Sequence, residues 1–268
     1  MKPVRLTSLL LVEERLFEAD YFIRRLRRSP PHELQYHLNA FLSAARSVTF
    51  LLQKEMAHVP KFREWLAVKR EELREDAAAR FFLQQRNFSQ KEGRVRTVGF
   101  GSSSSRRRWT YRFIDGTHPV PPELYDRDIV DCCSHHVAKL ARLTLEFADA
   151  FPFWSCPHRA LTVEGLAALD VPLAELAAAV GFPDGWLDVA PPDIKGLLAS
   201  LRTLVDAVDF AAIRKLSQPR RRTRITGGKD AAMQRLLLGN VEQGPDGYAT
   251  IAAALLMGDF PSEERQGS

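Results

Sequence analysis

The sequence predicts an all-α fold: an antiparallel helical bundle with a β-hairpin insertion, followed by a smaller C-terminal helical region. Three observations predict it. Apolar residues recur at helical three- and four-residue spacing over four long stretches. Proline and Ser-Pro punctuation stops those stretches at short connections, which makes neighbouring helices antiparallel. One segment, Trp109 to Phe113, switches to the period of two that belongs to a strand.

The first helix is expected over residues 8–28, with Leu9, Leu10, Leu16, Phe17, Ile23 and Leu26 at helical spacing. Ser29-Pro30-Pro31 ends it and opens the next, because Ser caps a helix and Pro fits its first turn. The second, residues 32–56, carries Leu34, Leu38, Phe41, Leu42, Ala45, Val48, Leu52 and Met56 on one face and stops before Pro60. The third, residues 62–85, runs through Trp65, Leu66, Leu73, Asp76, Ala77 and Phe81. Residues 94–118 are the hairpin, with a Gly- and Ser-rich tip. A fourth long helix covers 122–149 and completes a bundle spanning 1–151. After the Pro and aromatic linker from Phe151 to Pro157, residues 152–217 form a small helical region. It holds two short helices, about 162–169 and 172–180, and a longer one at 192–217. Residues 218–268 are a basic linker and a loosely ordered tail.

The 268 residues are ordinary globular material, 45% apolar and 26% charged, with a net charge of +5 and a pI near 9.2. That mild basic excess permits an anionic partner such as RNA. Three cysteines, two of them adjacent, are not a disulfide framework and point to a reducing, cytoplasmic compartment. The run from Leu6 to Val12 is too short for a leader and no stretch is long enough to span a membrane, so no membrane partner is expected.

Three groups of residues could carry chemistry. The first lies around the end of the third helix. Phe41-Leu42-Ser43-Ala44-Ala45-Arg46-Ser47 is followed by Trp65, Lys69 and Asp76. Arg80-Phe81-Phe82 then leads into Arg86-Asn87-Phe88-Ser89-Gln90-Lys91-Glu92-Gly93. Over roughly residues 8–93 this succession resembles the HEPN superfamily, small helical bundles sharing an Arg, a polar residue and a His four to six residues beyond the Arg. The resemblance implies a HEPN-like bundle, a homodimer, and a metal-independent ribonuclease site across the dimer interface. In such a site Arg steadies the phosphate and His moves protons. Arg86 and Asn87 match the first two positions, and Lys91 stands where His is expected. An ordinary ammonium binds phosphate but is a poor base near neutrality. An RNA-binding or interaction module with impaired catalysis is therefore expected, in phage defence or a toxin–antitoxin system. An active endoribonuclease using Arg86, with His32 or His37 as an alternative base, and a purely structural dimerising scaffold stay open beside it. So does the plainer reading of Arg86 and Lys91 as helix-end cations.

The second group is the hairpin. Arg94, Arg96, Arg106, Arg107, Arg108 and Arg112 surround Trp109 and Tyr111, and basic residues interleaved with aromatics suit single-stranded RNA. The same alternation also describes a half-buried strand whose aromatics pack on the bundle. The third group is Cys132, His136, Cys156 and His158, a donor set suited to zinc. Without a tight Cys-x-x-Cys, no metal is expected there. No cofactor is expected either. Gly227-Gly228-Lys229-Asp230 lacks the spacing of a phosphate-binding loop and no dinucleotide fingerprint occurs, so no nucleotide cofactor is called. Residues 162–182 resemble a helix-turn-helix, but the second helix is Leu173-Ala-Glu-Leu-Ala-Ala-Ala-Val180, with nothing to read a base edge.

Overall fold

Apolar spacing sets the first two helices, α1 (Leu10–Leu26) and α2 (Leu34–Glu55). In a computed structural model, which describes residues 6–101, 109–181 and 193–218, they form the most extensively packed pair. Val12, Leu16, Ala19, Ile23 and Leu26 of α1 meet Leu38, Phe41, Leu42, Ala45, Val48 and Leu52 of α2, all essentially without solvent exposure. Each such side chain contributes on the order of 1.5–3 kcal/mol by leaving water, so this seam dominates the core.

The expected third helix is two: α3 (Phe62–Glu75) and α4 (Ala77–Lys91). Asp76 between them is extended, with φ −73° and ψ 107°, and its carboxylate accepts from Ala79 N at 2.9 Å. Glu123 accepts from Ala78 N at 3.1 Å, so two carboxylates take up amides that a helix start leaves bare. The break lets α3 lie on the outside, where only Phe62 is buried, while α4 sinks Phe81 and Phe82 into the core.

The fourth long helix begins later than expected. Pro122–Leu124 is a separate 3-10 turn, and α5 (Ile129–Ala150) starts after Asp128, whose carboxylate accepts from Val130 N at 2.7 Å. Its buried face runs through Ile129, Cys133, Val137, Leu140, Thr144 and Phe147 and packs on α1, α2 and α4. Near its end, Phe62, Trp65, Phe147 and Phe151 form an aromatic nest with ring centroids 5.0–6.5 Å apart.

The hairpin is present as β1 (Thr97–Gly101) and β2 (Trp109–Phe113), antiparallel, with Thr97 opposite Phe113 and Gly101 opposite Trp109. It is laid on the bundle. Phe113 meets Phe81 and Phe82 edge-on at 5.1 and 6.0 Å, and the Tyr111 hydroxyl donates to Ser29 O at 2.8 Å. Gly99 faces Tyr111 across the ladder, and a Cβ there would stand 3.0 Å from the ring.

Past α5 come four short helices: α6 (Pro152–Ser155), α7 (Pro157–Ala160), α8 (Val163–Leu169) and α9 (Leu173–Ala179). The single helix expected over 192–217 is also two: α10 (Ile194–Arg202) and α11 (Phe210–Ser217), capped by Asp193 and Asp209. The division has a packing cause. Leu198 and Leu201 enter a small second core with Leu161 and Leu176, whereas Val208 and Ile213 enter the main core. One straight helix could not face both. The Glu13 carboxylate accepts from Asp209 N at 2.8 Å, which fastens the start of α11 to α1. The expected tail from 219 onward, and the hairpin tip with Arg106, Arg107 and Arg108, lie outside the described residues.

Candidate nucleic-acid interface

Helix α4 carries the first group of candidate residues and lies along α2. Gln35 at the start of α2 donates to Val95 O at 2.8 Å, just beyond the end of α4, while Gln90 reaches Ser43 at 3.5 Å. The two helices therefore run antiparallel, and Arg86, one turn before Gln90, shares its face. Arg86 is half-buried. Its Nη1 donates to Asn87 Oδ1 at 3.2 Å, and its Nε is enclosed with no hydrogen-bond partner among the described residues.

A second arginine comes from α2. Arg46 donates from Nη1 to Thr49 Oγ1 at 2.8 Å. Arg46 is exposed by surface area, but the atoms packed around its guanidinium first, and then the positive charges of Arg86 and Arg70, push it below the ordinary value. Arg70, on α3, donates from Nη2 to Gln53 Oε1 of α2. Three helices thus bring three guanidinium groups together, and none of the three forms an ion pair with a carboxylate among the described residues. Each is permanently charged, so the cluster is a local positive field that an anion would neutralise. Exposed apolar side chains border it: Phe50 (57% exposed) one turn beyond Arg46, and Leu83 (41%) one turn before Arg86.

Lys91 does not converge with Arg86. The expectation needed the backbone to turn between them, but α4 continues through Lys91, and five residues at 100° each place the two about 140° apart around the helix. Lys91 and Asn87 are exposed. Neither alternative histidine replaces it. His37 hydrogen-bonds through Nδ1 to Ser29 Oγ at 2.6 Å, and sits nine residues, about 13 Å of helix, from Arg46. His32 precedes α2, next to Glu33.

The hairpin residues divide. Arg94 and Arg96 are exposed, and Trp109 is half-buried, its ring stacked at 6.4 Å and 15° on Tyr111. Tyr111 and Arg112 depart from the expectation, being only 3% and 5% exposed. Tyr111 belongs to the main core, and its hydroxyl reaches Ser29 O in the α1–α2 turn. Arg112 is held at 3.1 Å by Asp126, with its guanidinium 5.1 Å from the Phe100 ring centroid. Neither is offered to a base or a phosphate.

The cysteines and histidines are structural in their contacts. Cys132 and Cys133 are buried, and burial pushes the Cys132 thiol up to about 12. His136 stacks on Phe82, while the His158 Nε2 meets Val205 O at 2.9 Å. Among the described residues, no three His, Cys, Asp or Glu side chains converge as a metal centre requires.

Sequence reasoning did not single out Arg46 or Arg70 as candidates, nor His118, which follows the hairpin. Arg46 stood in the quoted pattern, but only helix packing reveals its neighbour. For His118 no sequence signal was available, since it is an isolated imidazole in a loop.

These elements define the class: a helical bundle carrying a small two-stranded antiparallel sheet and a cluster of arginines on its α2–α3–α4 side. Residues 8–104, from before α1 through β1, match the family model described as bacteriophage lambda protein ea47. The match includes Arg46, Arg70 and Arg86 and ends in the hairpin tip. No curated protein and no solved structure matches the chain. No helix among the described residues is long and apolar enough to cross a membrane.

Proposed function

We propose that this chain is a HEPN-like RNA-binding module with impaired catalysis, acting as a homodimer in phage defence or a toxin–antitoxin pair. The observation that carries the proposal is Arg86: a half-buried guanidinium whose Nε has no partner among the described residues, set against Arg46 of another helix. Like charges crowded without a counter-charge cost stability, and a bound phosphodiester offsets that cost through charge-assisted hydrogen bonds to the guanidinium forks. Impaired catalysis is supported by Lys91, which stands on another side of α4 and is a cation where the motif has an imidazole. The two-fold partner is supported by Phe50 and Leu83, exposed apolar side chains beside the arginines. Similarity to a family named for a phage protein supports a setting among phages and their hosts.

The test is RNA retention by the native protein and by Arg86→Ala across a salt series, with a cleavage assay in EDTA. Salt-sensitive binding lost in Arg86→Ala, without cleavage, supports the proposal. Rapid cleavage that Arg86→Ala abolishes would make the chain an active ribonuclease. Binding to no RNA would leave a scaffold.

A further inference from the structure

Between the C-terminal half of α4 and the root of the hairpin lies a cavity of about 370 Å³, separate from the arginine cluster in the residues that line it. Its polar lining is Gln85, Arg94, Arg96, Thr117 and His118, with Phe88 and Ile114 as the apolar wall. No carboxylate contributes to it among the described residues. Asp115, the nearest acid in the loop, has its carboxylate taken up by the Tyr125 hydroxyl and the Val120 N–H.

Among the described residues, the polar groups facing this space have almost nothing else to bind. Among the described residues the Arg94 side chain makes no ion pair or hydrogen bond, and the Arg96 side chain makes only a 3.4 Å contact from Nη1 to Asp115 O. Gln85 is 7% exposed, yet its amide has no hydrogen-bond partner among the described residues. The His118 ring meets Phe88 edge-on, 6.4 Å between centroids, and its nitrogens are likewise unbonded among those residues. A Cβ at Gly116 would stand 2.9 Å from Arg96 Cδ, so a glycine there lets the Arg96 side chain lie close against the loop.

Two guanidinium groups, an imidazole N–H, a hydroxyl and an amide make a donor-rich, cationic surface that suits phosphate oxygens. The cavity is larger than phosphate alone requires and falls in the size range of small-molecule pockets. An aromatic wall beside the cations suits a nucleobase. We propose that this pocket binds a nucleotide through its phosphate monoester, with Arg94 and Arg96 on the phosphate and the base against Phe88. The ligand is a free mononucleotide or the phosphorylated end of an RNA strand, and its binding does not depend on the role given to Arg86.

The full-length chain, titrated calorimetrically with uridine 5′-monophosphate, tests this. Saturable binding is expected, with none to uridine. Arg94→Ala and Arg96→Ala should each weaken it roughly ten- to a hundredfold, the range for a charge-assisted hydrogen bond. Arg63→Ala, an equal loss of charge on the exposed face of α3, should not. No saturable binding, equal binding of uridine, or binding unchanged in the Arg94→Ala and Arg96→Ala variants would overturn the proposal. A short RNA with and without a 5′-phosphate separates the sources. Tighter binding of the phosphorylated strand, lost in Arg96→Ala, assigns the pocket to a strand end, whereas equal affinities assign it to the free nucleotide.

Discussion

Phe82 and His136 lie face to face, their ring centroids 4.3 Å apart and their planes inclined by only 17°. The imidazole closes one wall of a 190 Å³ pocket that also includes Cys132, His135 and Lys139. Burial first, and then the charge of Lys139, lowers its pKa from the ordinary 6.5 to about 4, with the Asp76 carboxylate opposing. Between those two pH values the unfolded chain binds a proton that the folded chain refuses, so stability falls as the pH falls across that window. At ~1.4 kcal/mol per pH unit the loss is up to about 3 kcal/mol by pH 4. Urea unfolding at pH 7, 5.5 and 4 should show it, and His136→Phe should flatten the dependence. Parallel pH profiles for the two proteins would contradict this assignment.

Asp76 both caps α4 and pairs with Lys139 of α5. Burial alone would raise its carboxyl, but the Lys139 hydrogen bond, the Ala79 N–H and nearby positive charge outweigh it and hold it below the ordinary value. A carboxyl depressed in this way contributes stability above its unfolded pKa and loses it as the pH falls through the folded one. Asp76→Ala should cost about 2 kcal/mol near neutrality, the sum of a cap and a half-buried ion pair. Asp76→Asn, which keeps the acceptor, should cost about half of that. Equal losses in the two variants would mean that the cap contributes nothing.

Tyr111→Phe should destabilise the protein by about 1–2 kcal/mol, because Ser29 O loses a buried donor while the ring packing stays. Thermal unfolding reads this directly. An unchanged transition would place water, rather than the tyrosine, on that carbonyl.

Arg46→Ala should separate stability from function. The substitution relieves the crowding with Arg86 and Arg70, so folding should be unharmed or improved by about 0.5 kcal/mol. Under the proposed function, RNA affinity should fall about five- to thirtyfold, with a shallower salt dependence, as expected when one phosphate contact is lost. A variant that binds as before would remove Arg46 from the interface.

Much of the helical frame was legible because burial follows sequence periodicity in α1, α2 and α5, where a single face meets the core. The break at Asp76 was masked by the same signal. Leu73, Ala77 and Phe81 keep a four-residue rhythm straight across it, although Asp followed by a small-residue run is also how a helix starts. Within the arginine cluster, Arg86 could be singled out from the sequence through a resemblance. Its neighbours Arg46 and Arg70 could not, because their proximity depends on how three helices pack. Pairing Lys91 with Arg86 requires a turn that the continuous i to i+4 bonding of α4 does not allow. Tyr111 and Arg112 illustrate the limit of composition: an aromatic or a cation beside others of its kind is as readily core as surface.

Placing Val208 and Ile213 in the main core has a consequence during synthesis. The apolar groove along α5 that receives α11 is complete in the nascent chain some sixty residues before Val208 and Ile213 emerge. At roughly 5–20 residues per second, the translating ribosome carries that open groove for several seconds. Over that interval the half-made protein is a target for chaperones, or for a second copy offering the same two side chains.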